Sequence, residues 1–445
     1  TSGDGRGVMQ LTTVAGLQSV TAEYDLALES DGSVQFIQNH DYNLTSTTPP
    51  TNPDTFVTHG AGVMKPVLGG GFSPSSFSGN YAFEFTGEDA NKKPDALAGF
   101  VHADGASALT PGTADFNDAG KYVGAELLSG EFSVSGSGSN VGAAELTLEN
   151  PQVTLLFEYV FITPSDLYFI EVDANANAAN APTLYRLSGE MILQPPNTQF
   201  SSSSLAPGVV ATGSGIDTGG SAIVSAGLFG PTAPAPAATC DGSMQNTFSW
   251  DRNDGGALSP LSLSATCTVN PNNGRVAFNW IQPPAPAPSV TPPFVAAYLA
   301  GPGEGFVISG DATVTTGLIE LQTGGGAFSN ASVSGAYAIG APFIEEPAVN
   351  NLAGVVVANG AGGLSGTVDE ADASGASQTL NQPFSASISG VGANGRGTMT
   401  TTSPVPTGFP ANWIFYIVSP SQIRAIPADA GGQHPQLIFL GPTTL

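Results

Sequence analysis

The stretch FSPSSFSGNYAF, from Phe72 to Phe83, decides the architecture of the chain because it occurs again. A second copy, FSNASVSGAYAI, begins at Phe328, and a diverged copy, FSSSSLAPGVVA, begins at Phe200. Successive copies therefore begin 128 residues apart. A period this long indicates whole domains in tandem, because solenoid repeats recur roughly every 20 to 50 residues.

The strand-like segments between these copies divide the chain into four units. Val63, Met191 and Ile319 lie in the last such segment of the first three units and are again 128 residues apart. A length of 445 residues fits about three domains of roughly 150 residues each. The predicted units are an N-terminal half repeat with only the last four strands, a complete repeat, a diverged repeat and a second complete repeat, at 1–68, 72–196, 200–324 and 328–445.

Shorter motifs keep their order within the units. GDGRG at Gly3 matches NGRG at Asn394, so that Arg6, Arg275 and Arg396 occupy the same place after a glycine turn. We align the next segment of each unit on its tyrosine, at Tyr24, Tyr159, Tyr298 and Tyr416. We align the segment after it on its first residue, at Val34, Leu167, Gly305 and Ile423.

The predicted fold class is all-β. The second unit contains eight segments in which apolar and other residues alternate between Gly, Asn, Asp or Pro punctuation, as in strands with one buried face. Short connections favour an antiparallel meander, because parallel neighbours need long crossovers. Eight such strands predict an up-and-down barrel of the lipocalin or avidin kind, which leaves no exposed edges, and a β-sandwich is the alternative.

Composition limits the partners. Ten Lys and Arg stand against 36 Asp and Glu, which gives a formal charge of −26. Nucleic acid is not expected as a partner, because phosphate binding needs clustered cations. No apolar run is long enough to span a bilayer, and no signal peptide opens the sequence.

The two cysteines, Cys240 and Cys267, fall within one unit. A lone pair on neighbouring strands predicts a disulfide and hence an oxidising compartment. Two buried thiols are the alternative. The same unit carries proline-rich insertions at Pro231 and Pro283, which we interpret as projecting loops.

An acidic pattern recurs at an equivalent place in each complete unit. Oxygen-rich loops of this kind could bind calcium, which prefers carboxylate and carbonyl ligands. Asp followed by Gly is also what a hairpin turn requires, and we favour the turn. Calcium is therefore the weaker hypothesis, and no other cofactor is expected. The candidate residues are Asp115 and Asp118, Asp251 and Asp254, and Asp369 and Asp372.

The other chemical motifs are weak. GDGRG lacks the strand before it and the helix after it that a phosphate loop needs, so it predicts a hairpin turn. We expect the recurring arginine to have a structural partner, a carboxylate or carbonyls at the end of a barrel. No two histidines share metal-ligand spacing, and no positioned nucleophile accompanies His102. The four histidines are His40, His59, His102 and His434. No catalytic residues are predicted.

Tyr81, Phe83 and Phe85 share one face of a predicted strand. They could line a ligand cavity, but small barrels are commonly filled by side chains, so we expect core residues.

The recurring GNYAFEFTG, NGRGT and FYIVSP motifs and the aspartate–glycine turns resemble the tandem β-repeats of large secreted bacterial cell-surface proteins. The resemblance implies an extracellular location and no known catalytic residues. The third unit departs from it, because it lacks the GxY of the first strand.

Two functions follow as hypotheses. The first is a non-catalytic structural subunit of a surface layer, sheath or fibre that binds copies of itself through β-domain contacts or strand complementation. The half unit at 1–68 supports it, because a half barrel exposes strand edges and an apolar face. The alternative is a ligand-binding or carbohydrate-adhesive surface protein with lipocalin-like barrels, for which a surface polysaccharide is a candidate partner.

Overall fold

The structure is a computed structural model of the chain. It describes residues 5–15, 18–43, 61–89, 91–136, 138–172, 186–205, 208–217, 219–229, 246–281, 292–324, 327–341, 351–371, 378–402, 410–429 and 436–443.

The chain begins with a four-stranded antiparallel sheet, called here the N-terminal sheet. Its strands follow the order of the sequence, so β1 and β4 form its edges. The strands are β1 (Arg6–Ala15), β2 (Gln18–Leu28), β3 (Val34–Asn43) and β4 (Ala61–Met64).

Barrel 1 follows as a closed meander of eight antiparallel strands, in which the last strand pairs with the first. Its strands are β5 (Ser78–Glu88), β6 (Pro94–Asp104), β7 (Ala108–Asp118), β8 (Lys121–Val134), β9 (Val141–Leu148), β10 (Val153–Thr163), β11 (Asp166–Glu171) and β12 (Arg186–Leu193).

Barrels 2 and 3 have the same topology and close through β13 with β20 and through β21 with β28. Barrel 2 contains β13 (Val209–Asp217), β14 (Ala222–Phe229), β15 (Asn246–Asp254), β16 (Ala257–Val269), β17 (Arg275–Ile281), β18 (Ala296–Gly301), β19 (Glu304–Ile308) and β20 (Thr313–Leu321). Barrel 3 contains β21 (Ser334–Gly340), β22 (Asn351–Asn359), β23 (Gly363–Ala371), β24 (Gln378–Ser389), β25 (Arg396–Thr401), β26 (Asn412–Ser419), β27 (Gln422–Pro427) and β28 (Ile438–Pro442). The predicted barrel class is confirmed, and the sandwich is not formed.

The recurring stretch that begins at Phe72 closes one end of each barrel. A short 3₁₀ turn precedes the first strand, at Pro74–Ser76, Ser202–Leu205 and Asn330–Ser332. Phe72 and Phe77 are buried in the core of barrel 1, and Phe200 is buried in the core of barrel 2. Phe328 packs against the core of barrel 3. The stretch is therefore a linker whose aromatic residues belong to the barrel that follows.

Side chains fill the barrels. Tyr81, Phe83 and Phe85 are fully buried in barrel 1, where Phe85 contacts Phe157 and Phe169 with ring centroids 4.8 and 5.4 Å apart. The predicted stripe is therefore core. Phe248, Phe278 and Trp250 fill barrel 2 in the same way. Alternate strand residues face inward, and an eight-stranded barrel is narrow enough for them to meet.

The units pack through one repeated scheme. The first strands of barrel 1, β5 and β6, pack against β18, β19 and β20 of barrel 2. The first strands of barrel 2, β13 and β14, pack against β26 and β27 of barrel 3. The first strands of barrel 3, β21 to β23, pack against β2 and β3 of the N-terminal sheet. The chain thus folds back on itself, and the N-terminal sheet occupies the position of strands five to eight of a fourth barrel.

Candidate functional site

Between barrels 1 and 2 a buried carboxylate receives an arginine from the next unit. Arg275 donates from Nε and Nη2 to the two oxygens of Asp115, at 2.7 Å each. The Tyr298 hydroxyl donates to Asp115 Oδ2 at 2.6 Å, and Tyr122 and the Ala125 amide also donate to this carboxylate. The side chain of Asp115 is fully buried. A bidentate pair of this kind fixes orientation as well as charge, and we call the arrangement a latch.

The same latch joins barrels 2 and 3. Arg396 donates from Nε and Nη2 to Asp251, at 2.6 and 2.9 Å, and the Tyr416 hydroxyl donates to Asp251 Oδ2. Burial raises the pKa of the Tyr416 hydroxyl, and the negative charge of Asp251 raises it further. Tyr416 is therefore a constant hydrogen-bond donor. The recurring arginine does have a carboxylate partner, but the partner lies on the neighbouring unit.

The third copy joins the N-terminal sheet to barrel 3. Arg6 Nη1 lies 3.5 Å from Asp369 Oδ2, and the Asn381 amide donates to Asp369 Oδ1 at 2.6 Å. Ala27 stands where the other latches have tyrosine. The nearby Asp25 is buried, and burial, followed by the charge of Asp369, raises its pKa to about 7.

Strand register corrects the alignment on tyrosine. The amides of Leu28, Phe161, Leu299 and Ile417 make the same turn hydrogen bond, to Gly5, Asn140, Gly274 and Gly395. Ala27 and Val160 are therefore the residues equivalent to Tyr298 and Tyr416. Tyr159 is displaced by one residue and Tyr24 by three, and an odd displacement moves a side chain to the opposite face. Tyr159 accordingly lies in the core of barrel 1. The alignment on Val34, Leu167, Gly305 and Ile423 agrees with the pairing of the strands.

The acidic candidates separate into two groups. Asp115, Asp251 and Asp369 form the latches. Asp118 lies at the hairpin after β7, 3.8 Å from Lys121, and Asp254 lies 3.1 Å from Arg252. Asp372 lies outside the described residues. Within the described ranges, no group of three or more His, Cys, Asp or Glu side chains could hold a metal ion. Calcium binding stays an untested hypothesis.

Amide side chains support the latches. Gln194 donates to the carbonyls of Asn273 and Leu299, at 3.0 and 2.6 Å. Gln322, 128 residues later, donates to Asn394 and Ile417 in the same way. Asn117 and Asn253 donate to carbonyls of the next barrel, those of Ser309, Asp311 and Pro427. Sequence reasoning missed these residues, although the 128-residue step of the two glutamines was a usable signal.

A cavity of about 440 Å³ lies where all four units meet. We call it the central cavity. A second cavity, of about 470 Å³, lies between barrels 1 and 2 and shares Glu84 and Ser188 with it. The central cavity is lined by polar, charged and aromatic side chains, among them Glu29, Gln35, Lys65, Glu84, Tyr168, Ser188, Glu190, Phe306, Gln422, Arg424 and Phe439.

Each cation of the central cavity is neutralised by carboxylates. Lys65 donates to Asp166 at 3.0 Å and to Glu190, and lies 5.1 Å from the Tyr168 ring centroid. Burial opposes the charge of Lys65, but the combined attraction of Glu190, Tyr168 and Asp166 outweighs it and raises the pKa of Lys65. Arg424 donates to both oxygens of Glu320 and lies over the Phe439 ring at 3.8 Å.

Two buried oxygens of residues that line this cavity have no partner in the described structure, Glu84 Oε2 and Gln35 Oε1. Glu84 is 6% exposed, and burial raises its pKa to about 8. Gln35 is 2% exposed and donates through Nε2 to Glu29 at 2.6 Å. Burial thus favours the protonated form of Glu84 near pH 7, so this carboxyl can donate as well as accept a hydrogen bond.

The remaining sequence candidates lie apart from this cavity. Asn80 contacts His102 Nδ1 at 2.9 Å, and Asp104 accepts three backbone amides. Cys267 is buried in barrel 2, whereas Cys240 lies outside the described residues, so the disulfide stays a prediction. The proline-rich segments at Pro231 and Pro283, and the side chains of the other three histidines, also lie outside the described part of the chain.

No protein-family model and no curated protein matches the chain. One solved structure that is similar is a mutant of the vaccine antigen transferrin binding protein B from Haemophilus parasuis Hp5. It is 10% identical over 99% of this chain and 86% of that chain, with a TM-score of 0.19. A likeness at that TM-score carries no argument about function. Among the described residues, no helix has the length and apolarity to cross a membrane.

Proposed function

We propose that the chain is a non-catalytic, extracellular binding protein, and that it holds a neutral, hydroxyl-rich ligand of the carbohydrate class in the central cavity. The observation that carries the proposal is this cavity of about 440 Å³ with two buried, unpartnered oxygens on its lining residues. Its volume lies within the range of small-molecule sites, about 300 to 1,000 Å³. The extracellular location rests on the resemblance of the repeats and on the predicted disulfide.

Charge balance favours a neutral ligand. Lys65 and Arg424 are already paired with carboxylates, so an anionic ligand would have to displace Glu190 or Glu320. Burial favours the protonated form of Glu84 near pH 7, so this carboxyl offers little charge to a cationic ligand. Hydroxyl groups donate as well as accept, and they satisfy the unpartnered oxygens of Glu84 and Gln35 without adding charge.

The filled barrels support a site between units rather than inside one. Aromatic and aliphatic side chains occupy the interior of each barrel. A lipocalin-like lumen site would need an open interior. Buried carboxyls with shifted pKa values and convergent polar groups are typical of binding sites, and here they lie at the centre of the molecule.

Calorimetric titration of the full chain with neutral mono- and disaccharides tests the proposal, with a uronic acid and an amino sugar as charged counterparts. We expect saturable binding of a neutral sugar. The Ser188→Trp variant should lower the affinity at least tenfold, because Ser188 lines both cavities. Ser262→Trp, on an exposed position of barrel 2, is the matched control and should bind normally. Absence of saturable binding, or equal affinity in Ser188→Trp, would contradict the proposal.

The pH dependence gives a second prediction. Glu84 is protonated below pH 8, where it can donate a hydrogen bond to a ligand hydroxyl. Sugar affinity should therefore fall as the pH rises through about 8. The Glu84→Gln variant keeps a neutral side chain at every pH, so its affinity should stay level between pH 6 and 9. A wild-type profile that is equally level would remove Glu84 from the site.

The surface-layer, sheath or fibre subunit remains the second candidate, because one observation favours it. The N-terminal sheet has two edge strands, β1 and β4. Sedimentation of the full chain and of a chain without residues 1–68 tests the expected self-association. A full chain that sediments as a monomer would exclude the homopolymer.

A further inference from the structure

One isoleucine has an equivalent in every unit but the same surroundings in only three. The equivalence follows from strand pairing, in which Ile37 pairs with Asp25, Ile170 with Glu158, Ile308 with Ala296 and Ile426 with Ile414. Each of these partners lies three residues before the residue whose amide makes the shared turn hydrogen bond. Ile37, Ile308 and Ile426 are 0 or 1% exposed, because the first strands of barrels 3, 1 and 2 respectively cover them. Ile170, in barrel 1, is 59% exposed.

The surface around Ile170 also lacks the latch residues. Val141 is the first residue of β9, where β1, β17 and β25 begin with arginine. Val160 stands where Tyr298 and Tyr416 stand in the other barrels. Val141 is 38% exposed and Val160 is half-buried. Ile170, Val141 and Val160 thus form an exposed apolar group on the surface that the other units use for packing, with the exposed Glu158 directly opposite Ile170.

The N-terminal sheet presents a second uncovered apolar face beside it. The side of the sheet that carries Ile37 and Ala27 is buried against barrel 3. The opposite, concave side carries Met9, Leu11 and Phe36, of which Leu11 is 49% exposed and the other two are half-buried. In barrel 3, Met399 is equivalent to Met9 and Ala425 is equivalent to Phe36. These two side chains are only 5% and 2% exposed, because barrel 3 is complete.

We propose that these two faces together receive a four-stranded antiparallel β-segment with the pattern of the first four strands of this repeat. Such a segment would pair with edge strands β1 and β4 and close a fourth barrel. Its first two strands would cover Ile170, as β5 and β6 cover Ile308. The inference rests on the strand edges and uncovered faces and needs no ligand in the central cavity, although Ser188, which lines that cavity, pairs with Ile170.

The fit specifies the occupant. Its inward positions must be apolar in alternation, to fill the concave face. The residue of its third strand that corresponds to Asp115 must be uncharged, because it would face Val141 and Val160 in place of arginine and tyrosine, and a buried unpaired carboxylate is costly.

A second copy of this chain does not satisfy these requirements. The first four strands of each of its barrels are already paired within closed barrels. In that second copy, the face of the N-terminal sheet that would have to cover Ile170 already packs on its own barrel 3, so it is not available. The occupant is therefore an additional segment of this repeat type.

Thiol labelling of an Ile170→Cys variant tests the proposal. Three fusions place residues 72–134, 200–269 or 328–389, each with four first-half strands, ahead of Thr1 in the full chain. In the added segment the third-strand aspartate is replaced, as Asp115→Ala, Asp251→Ala or Asp369→Ala, so that it meets the requirement for an uncharged residue. In at least one fusion we expect the labelling rate of Cys at 170 to fall at least tenfold, with loss of hydrophobic-dye binding. Val357→Cys, at a 42% exposed position of barrel 3, should label at the same rate in every chain and serves as the control.

Unchanged labelling in all three fusions would overturn the proposal. Protection of Cys at 170 that rises with the concentration of the unfused chain would also overturn it, because a second copy would then cover the face. Circular dichroism of each fusion shows whether the added strands fold. An added segment that folds while Cys at 170 stays exposed counts against the proposal.

Discussion

Two interfaces of this molecule use the same strands with different side chains. Barrels 1 and 2 meet through a bidentate pair at 2.7 Å and a tyrosine hydroxyl, with Phe306 and Ile308 in the buried cluster. The N-terminal sheet meets barrel 3 through an Arg6–Asp369 ion pair at 3.5 Å and through hydrogen bonds such as that from Thr443 Oγ1 to the Leu28 carbonyl, with small residues such as Ala27 buried between them. The difference teaches that backbone shape sets how the units pack, whereas the latch sets how firmly a given pair is held.

The largest expected effect comes from removing the strong latch. Arg275→Ala leaves the fully buried Asp115 without its cation, which should cost about 3 to 5 kcal/mol at this interface. Arg6→Ala removes the 3.5 Å ion pair with Asp369 from a latch that has no tyrosine, and we expect a smaller loss. Hydrogen exchange of β6, β18 and β22 measures both, since a chain of several domains has no single unfolding free energy.

A triple variant is the control for this prediction. Arg275→Met with Asp115→Leu removes both charges, and Tyr298→Phe removes the buried hydroxyl that would lose its acceptor. This variant should restore much of the protection, because well-packed apolar residues can replace a buried ion pair. Equal effects of Arg275→Ala and Arg6→Ala would show that the two interfaces do not differ in strength.

A smaller effect is expected for the tyrosine. Tyr416→Phe deletes one hydrogen bond to the Asp251 carboxylate, and bonds to charged groups contribute about 1.5 to 3 kcal/mol. The N-terminal sheet has Ala27 at this position and has no such contribution to lose. Exchange of the β26 amides should accelerate in Tyr416→Phe, while that of the β2 amides stays unchanged. Faster exchange in both strands would mean that the hydroxyl acts on the whole molecule.

A further effect concerns pH at the interface between the N-terminal sheet and barrel 3. The pKa of Asp25 is raised to about 7 in the folded chain from an ordinary value near 3.8, chiefly by burial. Between these two values the folded chain holds a proton that the unfolded chain has released, so stability falls as the pH rises from about 4 to about 7. Above pH 7 the loss is complete. Asp25→Asn should flatten the exchange profile of β2 and β3 between pH 4 and 8, and an unchanged slope would exclude Asp25 as its source.

The sequence predicted the barrel because its strands appear as local patterns. The 128-residue step and the alternation of apolar residues need only neighbours along the chain. The recurring arginine indicated a carboxylate partner, yet nothing local could assign Arg275 to Asp115, which lies 160 residues away on another barrel. Pairing between units depends on packed surfaces, which a single sequence does not display.

The alignment on tyrosine was wrong for a physical reason. Tyr159 and Tyr298 lie in similar sequence motifs, but a shift of one residue along a strand moves the side chain from the interface face to the core face. Only the hydrogen-bonded register shows that Val160 faces outward. The central cavity was likewise beyond the sequence, since its lining comes from all four units.

One packing scheme is used three times in this molecule, and its third use joins the N-terminal sheet to barrel 3. Ala27 and Ala338 are both fully buried in one cluster at that junction, so oxidation of an Ala27→Cys, Ala338→Cys variant measures it directly. We expect an intramolecular disulfide in a monomer, mapped by mass spectrometry, and none in Ala27→Cys with Ala96→Cys on barrel 1. Failure to form the first disulfide, or its formation only between chains, would contradict the account.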